Sequence, residues 1–117
     1  MIKIKRIYDD PKKSDGFRVL VDRLWPRGIS KDKAQVDFWF KEATPSNELR
    51  SWFHENKGRN WSGFEKAYRE ELQSNKKDLS EEVHRWKKNV TLLTAVKDLE
   101  HSHIPTLLKF LESLRKD

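Results

Sequence analysis

The fold is decided by the stretch Val90-Thr91-Leu92-Leu93-Thr94-Ala95-Val96, a nearly continuous run of apolar and β-branched residues. A strand that is apolar on both sides is typical of the interior of a parallel sheet. A second run of the same kind, Phe17-Arg18-Val19-Leu20-Val21, lies far upstream. Because parallel strands need long crossover connections, the helical patterns between these runs predict an α/β fold with a small, mainly parallel sheet.

Weaker patterns predict the remaining elements. Ile2 and Ile4 alternate with lysines, which indicates a half-exposed first strand, and residues 36–40 alternate as a third strand. Ser62-Gly63-Phe64-Glu65 fits a capping box, and Leu79-Ser80 fits a hydrophobic staple and N-cap. Each of these two motifs predicts the start of a helix. Other helices are predicted by the apolar spacing of Leu49, Trp52 and Phe53 and of Ile104, Leu107, Leu108, Leu111 and Leu114. We expect one three-layer-like domain over residues 1–117, with helices flanking the sheet.

Composition narrows the class of protein. The 117 residues include no cysteine, which excludes disulfides, thiolate metal sites and a cysteine nucleophile. The amino terminus alternates charged and aliphatic residues, unlike a signal peptide, and no apolar run approaches the ~18 residues of a membrane span. We therefore expect a cytoplasmic protein without a membrane partner.

The net charge of +6 is unevenly distributed along the chain. Residues 1–60 hold 14 Lys and Arg against 9 Asp and Glu, whereas residues 61–117 hold 11 against 10. This excess favours an anionic partner for the first half of the chain, although solubility alone is an equally good explanation.

The first candidate loop, residues 22–28, directly follows a buried strand. Ligands of parallel sheets bind beyond the carboxyl ends of the strands. Arg23 and Arg27 offer donor forks suited to phosphate or carboxylate, and Trp25 is a third ligand-binding candidate. Asp22 orients Arg23 or accepts a proton. The competing interpretation is structural: Asp22 pairs with Arg23, Trp25 joins the core and Arg27 is solvated.

The second candidate loop, residues 97–103, follows the other buried strand. It contributes Glu100 and His101 as ligand-binding residues and His103 as the preferred acid or base, since histidine titrates near neutral pH. Alternatively, Ser102 caps the last helix and the histidines are incidental. The loop lacks a specific metal-ligand spacing, so we predict neither a metal nor a cofactor.

The motif Phe17-Arg18-Val19-Leu20-Val21-Asp22-Arg23-Leu24-Trp25-Pro26-Arg27-Gly28 resembles the signature of the YeaO-like proteins, within the domain of unknown function 488 superfamily. Further matches span nearly the whole chain and include Phe40 to Ser46, Trp52-Phe53-His54, Arg69 to Leu72, Val90 to Leu93, Asp98, Glu100, His101 and His103. The resemblance implies a compact α/β fold with a mostly parallel sheet. The resemblance also implies that this chain has lost the cysteines of the superfamily. Thr94-Ala95-Val96 and Ser102-His103-Ile104 stand where the superfamily carries cysteine-containing segments. Thiol or cysteine-metal chemistry therefore cannot operate here.

Three hypotheses for function follow. The first is an enzyme-like domain that binds a phosphate-bearing or other anionic ligand, such as a nucleotide, with Asp22 and His103 catalytic. The second is a non-catalytic basic module with a regulatory or nucleic-acid partner, whose nucleic-acid binding is weak and non-specific. In the third, loop 22–28 merely locks the fold.

Overall fold

A computed structural model describes residues 2–55, 57–86 and 88–116. For residues 57–59 and 116 it describes the backbone alone. The chain divides into two compact units. The sheet unit comprises Met1–Thr44 and Arg85–Lys97, and the helical unit comprises Pro45–His84 and Asp98–Asp117. The single-domain organisation stays a prediction.

The sheet unit contains four parallel strands, which confirms the predicted α/β class. They are β1 (Ile2–Arg6), β2 (Phe17–Leu20), β3 (Phe38–Trp39) and β4 (Val90–Thr94), in the spatial order β1-β4-β2-β3. Every residue of β4 is buried, because this strand has a neighbour on both edges and apolar or threonine side chains on both faces. The third strand is shorter than the predicted 36–40, since only two of its residues pair with β2.

The core of this unit gathers residues from the strands and from a short helix, α1 (Lys31–Ala34). Ile7, Leu20, Ala34 and Leu93 are fully buried in one cluster. Packed against that cluster are the partly buried side chains Trp25, Ile29, Val36, Trp39 and Ala95. One residue of loop 22–28, Trp25, is thus packed against the core.

A buried ionic network lies beside this core. The guanidinium of Arg18, which is 4% exposed, donates to the carboxylate of Asp15 and to the carbonyls of Ala34 and Gln35. Lys5 also donates to Asp15, at 3.0 Å. Burial by itself raises the pKa of Asp15, but hydrogen bonds from the Lys12 backbone, Lys5 and Arg18 outweigh it and lower the pKa.

The helical unit contains α2 (Asn47–Glu55), α3 (Lys57–Ser74), α4 (Lys76–Val83) and α5 (Ile104–Lys116). The predicted helix start at Ser62 is wrong, because α3 begins upstream, where Trp61 already stacks on Phe64 and packs on Phe53. The predicted start at Leu79-Ser80 is also wrong. Both residues lie inside α4, where Leu79 is a buried core residue.

The start of α5 agrees better with its prediction. The hydroxyl of Ser102 accepts from the Ile104 amide at 3.1 Å and donates to the Leu99 carbonyl at 2.7 Å. Pro105 then occupies the first turn, where a missing amide hydrogen costs nothing. In the part of the chain that the structure describes, we find no helix with the length and apolar character to cross a bilayer.

Candidate functional site

Asp22 fastens loop 22–28 to the end of β4. Its Oδ1 accepts from the Thr94 hydroxyl at 2.6 Å, and its Oδ2 accepts from the Ala95 amide at 2.7 Å. Its backbone carbonyl accepts from the Trp39 indole at 2.7 Å. The chain leaving β2 is therefore held on both sides, by β4 and by the residue that ends β3.

Trp25 gives the loop its shape. Its indole donates to the Ile29 carbonyl at 2.8 Å, which closes the bend within the loop. Its ring meets Trp39 edge-on, with centroids 5.6 Å apart, and the ammonium of Lys41 lies 4.0 Å from the Trp39 ring centre. The half-buried Trp25 thus packs against the core of the sheet unit, and its role in ligand binding stays a prediction.

The two predicted anion-binding arginines differ in environment. Arg23 is half-buried and its Nη1 donates to the Thr44 hydroxyl at 3.3 Å. Arg27 is exposed, and its backbone carbonyl accepts from the Tyr8 hydroxyl at 2.8 Å. Gly28 follows with φ of +80°, a left-handed conformation that glycine adopts without strain. Arg27 is therefore presented to solvent by a loop whose backbone is fixed on both sides.

Arg6 and Tyr8 belong to the same edge of the sheet, and sequence reasoning missed both. Arg6 ends β1, and its Nη2 donates to the Ala95 carbonyl at 3.1 Å. Its guanidinium carbon lies 5.1 Å from the centre of the Tyr8 ring. The position of Arg6 at the end of the predicted first strand could have indicated it. In a parallel sheet, the last residue of one strand lies beside the last residue of its neighbour.

The second candidate loop contributes its side chains to the helical unit. His101 is exposed, and its Nδ1 lies 2.9 Å from Oδ2 of Asp98, whose pKa that hydrogen bond lowers. The His101 ring meets Trp61 edge-on at 5.4 Å. His103 is half-buried against Tyr68, with ring centroids 6.2 Å apart, and Glu100 is exposed.

The structure thus groups the predicted residues in two sets. Asp22, Arg23, Trp25 and Arg27 lie in the sheet unit, whereas Glu100, His101 and His103 lie in the helical unit. The convergence of the two loops on one ligand stays a prediction. Among the described residues, no three His, Asp or Glu side chains are grouped as a metal ion requires.

Comparison with known proteins gives a consistent result over the whole chain. The sequence profile of a family described as "Inactive DUF488-N3 subclade" matches residues 1–117. The Escherichia coli K12 protein named "Uncharacterized protein YeaO" is 41% identical over 114 residues, covering 97% of this chain and 98% of that protein. Uncharacterized proteins of Mycobacterium bovis and Mycobacterium tuberculosis are 37% identical over 110 residues, covering 94% of this chain and 92% of each. No solved structure matches significantly.

Proposed function

The chain belongs to the DUF488 family, in the subclade described as inactive, and on that premise we propose that it is a non-catalytic module that binds a phosphate-bearing or other anionic ligand. The ligand would bind beyond the carboxyl ends of the strands, at loop 22–28. One observation carries the proposal: the exposed guanidinium of Arg27 is presented by a loop that Asp22 and Tyr8 hold in place.

A fixed backbone favours binding because less conformational freedom is lost when the ligand arrives. Within the described ranges, no hydrogen bond or ion pair holds the Arg27 side chain, so its donor fork is available to a ligand. Such a fork forms two parallel hydrogen bonds with phosphate or carboxylate oxygens. The loop also lies in the half of the chain that carries most of the net positive charge.

Two features favour binding without catalysis. Both oxygens of Asp22 accept short hydrogen bonds from Thr94 and Ala95, so the carboxylate is oriented by contacts that join the loop to β4. In addition, the chain has no cysteine where the wider superfamily has two cysteine-containing segments. The description of the family as inactive agrees with this proposal. The enzyme hypothesis, with Asp22 and His103 catalytic, is the alternative.

A thermal-shift experiment tests the proposal. Wild type, Arg27→Ala and a matched control, Arg69→Ala in an exposed position of α3, are melted with inorganic phosphate or a nucleotide at constant ionic strength. Phosphate stabilises most proteins weakly by exclusion from their surface, so the control supplies the background. We expect the anion-dependent rise in Tm to be lost in Arg27→Ala alone.

The unliganded Tm of Arg27→Ala should stay close to that of wild type, because an exposed substitution changes stability by about 0.5 kcal/mol or less. An equal response in all three proteins contradicts the proposal. Hydrolysis of the nucleotide by wild type, lost in His103→Ala, would instead favour the enzyme hypothesis.

A further inference from the structure

We infer that Arg6 and Tyr8 complete the anion site of loop 22–28: Arg6 supplies a second guanidinium, and Tyr8 positions it beside Arg27. The ligand that this arrangement fits is a doubly charged phosphate group. The inference rests on the proposed function and extends it to residues outside the loop.

The register of the sheet places Arg6 at the correct edge. Arg6 pairs with Thr94 across β1 and β4, and its guanidinium donates to the carbonyl of Ala95. The amide of Ala95 donates to Asp22, the first residue of the loop. Arg6 and Asp22 therefore contact the same residue from the two neighbouring strands, and Arg6 lies where β1, β2 and β4 all end.

The guanidinium of Arg6 is incompletely satisfied. The structure pairs one of its donors with the Ala95 carbonyl, whereas its Nε is buried and has no partner among the described residues. A buried donor without an acceptor is energetically unfavourable. A modest rotation of the side chain toward a bound phosphate would supply the missing acceptor. This unpaired donor is our main reason for assigning Arg6 to a ligand.

Tyr8 links the two arginines through different parts of its side chain. Its ring lies against the Arg6 guanidinium, at 5.1 Å, and its hydroxyl donates to the Arg27 carbonyl at 2.8 Å. Contact with an aromatic face keeps a guanidinium in place without using its hydrogen-bond donors. Tyr8 is therefore a positioning residue that fixes Arg6 relative to the backbone of Arg27.

The charge of the ligand follows from this pair. Two guanidinium groups balance two negative charges, and two forks can share the three terminal oxygens of a phosphate monoester. A single carboxylate has one charge and two oxygens. Inorganic phosphate and a nucleoside monophosphate share this chemistry. The experiment therefore compares inorganic phosphate with acetate, and a nucleoside monophosphate with its nucleoside.

NMR of the arginine side chains detects phosphate binding at each guanidinium in the wild-type protein. Inorganic phosphate is titrated above neutral pH at constant ionic strength, and the Nε–H resonances are assigned with Arg→Lys variants. We expect the resonances of Arg6 and Arg27 to shift and saturate together while that of Arg69 stays fixed. Acetate and the nucleoside should leave both resonances unchanged.

Variants then separate binding from positioning. Arg6→Lys keeps the charge but loses the fork, so affinity for phosphate should fall about tenfold. Tyr8→Phe keeps the ring but loses one neutral hydrogen bond, so affinity should fall about fivefold. Because the lost bond also fixes the backbone that carries the Arg27 guanidinium, Tyr8→Phe should have a smaller effect in an Arg27→Ala background.

The outcomes distinguish the two proposals. One outcome is that phosphate shifts the Arg27 resonance and not the Arg6 resonance, and that Arg6→Lys binds phosphate as tightly as wild type. The role of Arg6 is then wrong and the proposed function stands. If Tyr8→Phe weakens binding equally with and without Arg27, the positioning role is wrong. If no arginine responds to any anion, both proposals fail.

Discussion

The hydroxyl of Thr94 donates to the carboxylate of Asp22 at 2.6 Å and so joins two residues that are 72 positions apart in the chain. The bond connects the residue ending β4 with the loop that leaves β2. The same carboxylate accepts the amide of Ala95, so it substitutes for the ladder partner that β4 loses where pairing stops. Asp22 therefore has a structural role, and the catalytic role predicted from the sequence stays a prediction.

Replacing Asp22 should therefore destabilise the protein. In Asp22→Asn the carboxylate becomes an amide, and a nitrogen donor then faces either Thr94 or the amide of Ala95. Since hydrogen bonds to charged groups contribute about 1.5–3 kcal/mol, the free energy of unfolding should fall by roughly that amount. Urea denaturation measures it, with Asp9→Asn at an exposed position as the control. Equal midpoints for the two variants would refute the structural role.

Two glycines with positive φ should respond differently to alanine. Gly16 has φ of +68°, and a Cβ there would lie 2.4 Å from the carbonyl oxygen of Asn89. Gly28 has φ of +80° but open space around that position. Gly28→Ala should cost only the backbone strain, about 1–2 kcal/mol, whereas Gly16→Ala should cost clearly more because the backbone must also move. Chemical denaturation of both variants decides, and equal losses would contradict the predicted clash.

Acid should weaken the sheet unit through Asp15. The pKa of this carboxyl is lowered below its ordinary value of 3.8, so the unfolded chain binds the proton more readily than the folded one. The stabilisation of the folded state by the Asp15 carboxylate is then complete above pH 3.8. It is lost as the pH falls through the lower pKa of the folded state. Carboxyl NMR should show a titration midpoint for Asp15 below 3.8. A midpoint at or above that value would mean that burial outweighs Lys5, Lys12 and Arg18.

Nucleic-acid binding should be weak, indifferent to sequence and strongly dependent on salt. A net charge of +6 supplies counterion release, but the chain has no motif that reads bases. Fluorescence anisotropy with labelled DNA at several salt concentrations measures this. Tight binding to one sequence that survives competition by random DNA would favour a regulatory module.

The sheet was predictable from the sequence, as was the start of α5, but the starts of α3 and α4 were not. The run Val90 to Val96 is apolar on both faces, and only the interior of a parallel sheet buries such a strand. Capping signals such as Ser62-Gly63-Phe64-Glu65 are local, and they recur inside helices whose ends are set by packing. Here Trp61, which precedes that signal and already belongs to α3, packs on Phe53 of α2.

The candidate site was predicted in part. Position after a buried strand located Asp22, Arg23 and Arg27 at the carboxyl edge of the sheet. The contacts of Tyr8 could not be predicted, because they depend on the register of β1 against β4 and on a backbone carbonyl in a distant loop. Chain order alone carries no information about either.

Calorimetric titration of inorganic phosphate into wild type and Arg27→Ala measures directly whether loop 22–28 binds an anion. We expect saturable binding of one phosphate per chain to wild type. Affinity should fall at least about tenfold in Arg27→Ala, since the fork contributes charge-assisted hydrogen bonds, and should be unchanged in Arg69→Ala. No saturable heat in wild type, or equal affinity in wild type and Arg27→Ala, would contradict an anion site at this loop and leave it a structural lock.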